Sequence, residues 1–198
     1  MALPASDAFT RANENPLATG NWTQVPSMGF LQLLSNAVEV QSVGSDGCQY
    51  WNPDTPSNDQ KSQITVTTLN TDTNKCVGPA VRCSTSAQSF YMIRALGPLG
   101  ATATFKLYKM VTGTATQLTT ATKTINAADA LRLEVSGTTL TGYIAGVSQA
   151  TISDAALASG RLGIFIFVDV GVPGDAVADN WTGDNLSASD TLFAQACL

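Results

Sequence analysis

From residue 129 to residue 186 the chain spells out consecutive strands of an antiparallel sheet. Leu131, Leu133 and Val135 alternate with Arg132 and Glu134, the period-two pattern of a strand with one wet face. The chain turns at Ser136-Gly137, returns through Leu140-Thr-Gly-Tyr-Ile144, and turns again at Ala145-Gly146. A short run at 149–152 and a bend at 154–160 lead into Leu162-Gly-Ile-Phe-Ile-Phe-Val168. That run is apolar almost throughout, which predicts a strand well inside a sandwich. The stretch constrains architecture and carries no catalytic signature.

The rest of the chain continues the pattern of short strands and turn residues, the signature of an all-β sandwich or jelly roll. Strands are predicted over 8–11, 22–25, 30–34, 37–42, 64–69, 77–82, 89–96, 104–110 and 115–120, with a hairpin about Ser35-Asn36. Thr112-Gly113 and Gly97-Pro-Leu-Gly100 read as breaks. Helical periodicity is nearly absent, and one turn is predicted over 154–159 with Asp154 as its N-cap. Segments 44–61 and 169–175, rich in Gly, Pro, Asn and Asp, read as irregular loops, where function concentrates. A single domain is predicted over 1–186. The tail 187–198, apolar at Leu192, Phe193, Ala196 and Leu198, is expected to dock on the domain or on a neighbour.

The 198 residues suffice for one core without disulfide or metal support. Only 13% are charged, as is common where neighbours cover part of a surface. A net charge of −5 with scattered Lys and Arg argues against nucleic acid and against an anionic membrane surface. No stretch approaches the ~20 apolar residues of a membrane span. The first residues, Met-Ala-Leu-Pro-Ala-Ser-Asp, lack the basic start and apolar core of a signal peptide. The expected settings are a virion surface or release by lysis, and otherwise the cytoplasm. Asn21, Asn180 and Asn185 begin Asn-x-Thr/Ser triplets, glycan acceptors only in a secretory setting.

There is no histidine, which removes Ser-His-Asp and Cys-His nucleophile systems and any imidazole proton shuttle. Among the cysteines, Cys76 and Cys83 bracket a predicted strand. Seven steps of ~3.3 Å would part them by more than ~20 Å, too far for a disulfide unless Gly78-Pro79 folds the segment back. Cys48–Cys197 is geometrically open, but free buried thiols are the expected state. The absence of any C-x-x-C pair makes a four-thiolate zinc site weak.

The order of these elements resembles the concanavalin A-like superfamily, whose laminin-G-like members are jelly rolls. Asp7-Ala-Phe-Thr-Arg11 with Gly20-Asn-Trp22 is similar to the opening strand and tryptophan of such domains. Val81-Arg82 with Ser89-Phe-Tyr91-Met-Ile-Arg94 resembles the paired central strands, and Phe105-Lys-Leu-Tyr-Lys109 with Gly113 the next hairpin. Residues 131–144, Ser159-Gly-Arg-Leu-Gly163 and Asp179-Asn-Trp181 resemble the closing strands. The resemblance implies a concanavalin A-like β-sandwich over most of the chain, but the superfamily spans lectins, carbohydrate-binding modules, glucanases and lyases, adhesion modules and virus-borne surface proteins. Its glucanase branch carries Glu-x-Asp-x-Glu, which is missing here. Glu14, Glu39 and Glu134 each stand alone, whereas glycoside hydrolysis needs two carboxylates ~5–10 Å apart.

Tyr50 and Trp51, beside Asn52, Asp54 and Asp59, are the leading binding candidates. Aromatic faces stack on sugar rings while amides and carboxylates bond hydroxyls. The same aromatics would anchor a protein partner, or cap one end of the sandwich. The resemblance also implies a structural calcium, for which Asp7 and Asp179 on the first and last strands are candidates, with Asp169, Asp175 and Asp184 as further oxygen donors. Trp22 and Trp181 read as core plugs. Arg82 and Arg94 read as solvated strand positions or as anion contacts on the concave face. The resulting expectation is a non-catalytic, homo-oligomeric surface or decoration component of a larger assembly such as a phage virion, with protein partners. A stand-alone carbohydrate-binding module that takes a glycan is the first alternative, and a glycan-cleaving enzyme of the glucanase or lyase branch the second.

Overall fold

The computed structural model describes residues 3–18, 20–70 and 74–187. In chain order the strands are β1 (Ala5–Asp7), β2 (Trp22–Gln24), β3 (Leu31–Leu34), β4 (Ala37–Val40), β5 (Ser45–Trp51), β6 (Gln60–Leu69), β7 (Lys75–Cys83) and β8 (Phe90–Leu96). They continue as β9 (Thr102–Val111), β10 (Thr114–Thr124), β11 (Ala130–Ser136), β12 (Thr139–Ile144), β13 (Val147–Ser153), β14 (Arg161–Val168) and β15 (Ala176–Asn185). Two antiparallel sheets result. Sheet I runs β13-β12-β11-β6-β15-β4-β3, with β1 also pairing along β15, and sheet II runs β10-β9-β8-β7-β14-β5-β2. The all-β jelly-roll expectation holds.

Period-two alternation explains most of the assembly. Ile64 and Val66 of β6, Leu131, Leu133 and Val135 of β11, and Leu140 and Ile144 of β12 point inward from sheet I. They meet Val77, Val81, Tyr91, Ile93, Phe105, Leu107, Ile164 and Ile166 from sheet II. Their partners on the opposite faces, such as Arg132 and Glu134, are half-buried. The hairpin turns follow local chemistry. Ser35-Asn36, Thr112-Gly113 and Ala145-Gly146 all adopt positive φ at both residues, as the tight turns of right-twisted hairpins require.

Sheet II separates two apolar layers. Its outer face carries a second cluster that includes Cys48, Tyr50, Cys76, Ala80, Cys83, Phe90, Met92 and Phe165, with Val25 and Met28 from the segment after β2 packed on it. This is why β14 is apolar from Leu162 to Val168: Ile164 and Ile166 enter the inter-sheet core while Phe165 enters the outer cluster. It also corrects the expectation of an irregular 44–61 segment. Residues 45–51 are a strand buried on both faces, so the polar/apolar alternation that marks a half-wet strand is missing; only 52–59 remain a loop.

Other boundaries moved for local reasons. The first strand is β1 rather than 8–11, because Phe9 has a φ of 53° and the chain turns there. Residues 154–159 form no helical turn. Asp154 instead accepts the Ala156 N–H at 2.9 Å, closing an Asx turn. The helical turn among the described residues is a 3₁₀ turn at Pro173–Asp175. Apart from Ser187, the expected C-terminal tail lies outside the described residues, as does Cys197. Cys48, Cys76 and Cys83 are free and buried.

Candidate functional site

Trp51 and Tyr50 do not form a stacking pair. As neighbours on a strand they point to opposite faces of β5. Trp51, 3% exposed, lies between the sheets: its ring stacks on Trp181 with centroids 5.2 Å apart and meets Trp22 edge-on at 5.5 Å. Trp22 and Trp181 close the triangle at 4.8 Å, so the core-plug expectation for these two extends to a third indole. Each indole N–H has a side-chain acceptor: Trp22 donates to Asp7 at 2.8 Å, Trp51 to Asp54 at 3.0 Å and Trp181 to Ser62 at 2.9 Å. A buried indole needs such a partner. Asp54 is thus occupied inside the sandwich and also receives Arg161 on its backbone carbonyl. Asn52 is exposed and donates its backbone N–H to Asn21.

Asp7 does not fit a calcium site. Its carboxylate already accepts from the Phe9 N–H at 2.9 Å, Arg11 at 2.6 Å and Trp22. A cation there would displace an arginine and orphan a buried indole. Asp179 turns to its neighbour Asn180, accepting both the backbone and the side-chain N–H. Among the described residues no group of three or more His, Cys, Asp or Glu side chains is placed to hold a metal ion.

Arg82 is neither a solvated strand residue nor an anion contact. It is 3% exposed, and its guanidinium donates to the carbonyls of Asn58, Leu157 and Gly137, clipping three loops at one end of the sandwich. A shallow cleft of about 390 Å³ opens beside this clip, lined by the hydroxyls of Ser84, Thr85, Ser86 and Ser159, with Asn58 and Arg161.

The arrangement that sequence reading only touched is the outer face of sheet II. Strand register sets its side chains in rows. One row runs Thr120, Lys106 and Arg94, with Phe165 and Cys48 across Gly78; the next runs Thr122, Thr104, Leu96, Cys76, Phe167 and Asp46. The Arg94 guanidinium lies 5.1 Å from the Tyr108 ring centroid, 5.7 Å from Phe167 and 5.9 Å from Phe165. Its Nε donates to the Cys76 sulfur at 3.2 Å, and the terminal nitrogens have no hydrogen-bond partner among the described residues. Burial opposes the charge on Arg94, but Cys76, Asp46 and Tyr108 outweigh it and its pKa is raised. Burial pushes the Cys76 thiol up to about 11 despite Arg94, and raises Asp46 as well. Tyr108, Phe167, Arg94 and Lys106 are all half-buried, so aromatic surface and a cation are both partly open on this face.

Carboxylates are scarce there. Asp46 is the one acidic side chain among the described strand residues of that face. The three glutamates all lie with sheet I: Glu39 on β4, Glu134 on β11, and Glu14 bridged to Leu33 of β3.

No family model matches the chain, and no curated protein matches it. Solved structures share its fold at low identity. The carbohydrate-binding module CBM66 from Bacillus subtilis is 17% identical with a TM-score of 0.63, over 83% of this chain and 96% of that one. The exoplasmic/lumenal domain of VIP36, in a form bound to Ca²⁺ and Man3GlcNAc, is 11% identical with a TM-score of 0.61, over 85% and 86%. The xyloglucan PUL protein GH43B of Bacteroides ovatus is 16% identical with a TM-score of 0.60; the match takes in 94% of this chain but 40% of that protein's length. The fold is that of the concanavalin A-like jelly rolls.

Proposed function

We propose that the chain is a non-enzymatic carbohydrate-binding β-sandwich whose sugar lies on the outer face of sheet II. The observation that carries this is the half-buried pair of Tyr108 and Phe167 about the Arg94 guanidinium, aromatic surface with polar donors beside it. Sugar rings are recognised by that combination. The likeness to a carbohydrate-binding module and to a domain solved with Man3GlcNAc supports the same reading. Binding without cleavage is supported by the separation of the glutamates from this face, where Asp46 has no second carboxylate across the platform. A glycan array probed with the wild-type chain and with Tyr108→Ala tests it. Signal on at least one glycan that falls in the variant is expected. A blank array would sink the reading, and undiminished signal in Tyr108→Ala would sink the placement.

A second role, as a homo-oligomeric surface component of a larger assembly such as a virion, is favoured by β10. This edge strand is 11 residues long, threonine-rich, exposed or half-buried along its length, and paired on one side to β9. Such an edge offers a row of backbone groups to another chain. Light scattering with and without EDTA tests this role: a stable oligomer is expected, its loss in EDTA would reveal a bridging calcium, and a clean monomer would remove the role.

A further inference from the structure

The two basic residues on the outer face of sheet II are set against each other. Arg94 of β8 and Lys106 of β9 are directly opposed in the antiparallel register. Side chains so placed stand roughly 5 Å apart at Cβ, and like charges there destabilise the pair. Neither side chain forms an ion pair among the described residues. Asp46, the acidic side chain of this face, acts on Arg94 only through space. Several other cations are paired with carboxylates: Arg11 bridges Asp7 and Glu14, Lys75 meets Asp175 and Lys109 meets Asp154. A molecule of net charge −5 has no shortage of carboxylates to spend here. The uncompensated pair sits instead where the aromatic platform is, with the Thr120 and Thr104 side chains beside it.

We infer that this face selects an anionic sugar, one bearing a carboxylate or a sulfate, with Arg94 and Lys106 receiving the anion while Tyr108 and Phe167 hold the ring. Arg94 is suited to the part because its Nε donates to Cys76 and its guanidinium lies among three rings, while its terminal N–H groups have no hydrogen-bond partner among the described residues. Lys106 adds a mobile charge across the strand gap. The bound anion removes the repulsion between them. The overall negative charge of the chain then makes the attraction local rather than diffuse, so binding is confined to ligands that present both ring and anion.

This inference rests on the carbohydrate-binding reading, and the experiment separates the two. Affinities are measured by calorimetry for an oligogalacturonate and its fully methyl-esterified form, and for a sulfated galactan oligosaccharide and its desulfated form. The anionic member of at least one pair is expected to bind about tenfold or more tightly than its neutral form, and which pair responds identifies carboxylate or sulfate as the group read. Lys106→Gln is expected to lower that affinity about tenfold, and Lys123→Gln, on the opposite face of β10, to leave it unchanged. Far-UV dichroism confirms that both variants fold. Equal affinity for charged and neutral forms, or unchanged affinity in Lys106→Gln, overturns the inference. If these glycans fail while a neutral glycan binds, the inference falls and the carbohydrate reading stands; if every glycan fails, both fall.

Discussion

Both faces of sheet II carry aromatic side chains and treat them in opposite ways. Against the inner face, Trp22 and Trp51 pack with Trp181 of sheet I, all three ring centroids within 5.5 Å of one another, and every indole N–H ends on a buried or half-buried acceptor. On the outer face Tyr108, Phe165 and Phe167 surround a guanidinium whose terminal nitrogens have no hydrogen-bond partner among the described residues, opposite a lysine that forms no ion pair among them. A closed set of polar partners marks a group that stabilises the fold. An open set beside partly open aromatic surface marks a group available to something outside it.

That contrast can be broken at several points. Trp181→Ala should cost most, about 3–5 kcal/mol in denaturant unfolding, because it empties the centre of the indole cluster. A cost under about 1 kcal/mol would show that the cluster is not the keystone of the inner face. Next comes Arg82→Met, which strands the carbonyls of Asn58, Leu157 and Gly137. A loss of about 2–3 kcal/mol is expected, together with faster amide exchange in the loops it clips.

The edge of the inner layer should show itself in pH dependence. Burial pushes Asp154 up, but hydrogen bonds from Lys109, Tyr91 and the Ala156 N–H outweigh it and leave its pKa lowered. Its stabilising contribution is therefore full above about pH 4 and is lost as the pH falls through the depressed value. Burial, then the hydrogen bond to Asp154, pushes Tyr91 up to about 12. That contribution is intact below about pH 10 and lost as the pH climbs toward the raised value. Asp154→Asn should flatten the acid limb of a stability–pH profile and lower the Tyr91 midpoint in an ultraviolet titration. An unchanged profile would mean the contact is not formed in solution.

The smallest effects on stability belong to the outer face. Tyr108→Ala should cost about 1 kcal/mol or less while abolishing glycan binding, the reverse of the Trp181 result. Lys106→Gln should leave stability unchanged or raise it by up to about 0.5 kcal/mol, since it removes a like-charge opposition. A clear destabilisation by Lys106→Gln would show that the lysine is structurally paired and would erase the contrast between the faces.

Much of the architecture could be read residue by residue. Leu131, Leu133 and Val135 declared an inward face, Ser35-Asn36 and Ala145-Gly146 declared hairpins, and both were met because period and turn chemistry act over a few residues. The strand β5 was hidden because its two faces are buried in different layers, which erases alternation and leaves Ser-Asp-Gly-Cys-Gln looking like a loop. Trp51 then followed the wrong assignment into a supposed binding loop. The run Cys48-Gln-Tyr-Trp51, with one cysteine and two aromatics, was the signal that could have corrected it. Asp7 and Asp54 were read as ligand groups since nothing in a linear chain shows which indole lies across the sheet from an acidic side chain.

By itself the sequence determined the all-β class, the positions of most strands and hairpins, the absence of imidazole chemistry and the isolation of the glutamates. Each of these depends on composition or on contacts a few residues apart. Only the tertiary structure decided that β5 is buried on both faces, that Asp7 and Asp54 serve tryptophans, and that Arg82 clips loops while Arg94 stands beside Lys106 on the outer face. Those outcomes rest on pairings between strands far apart in the chain, where register places charges and rings side by side without leaving any periodic trace in the sequence.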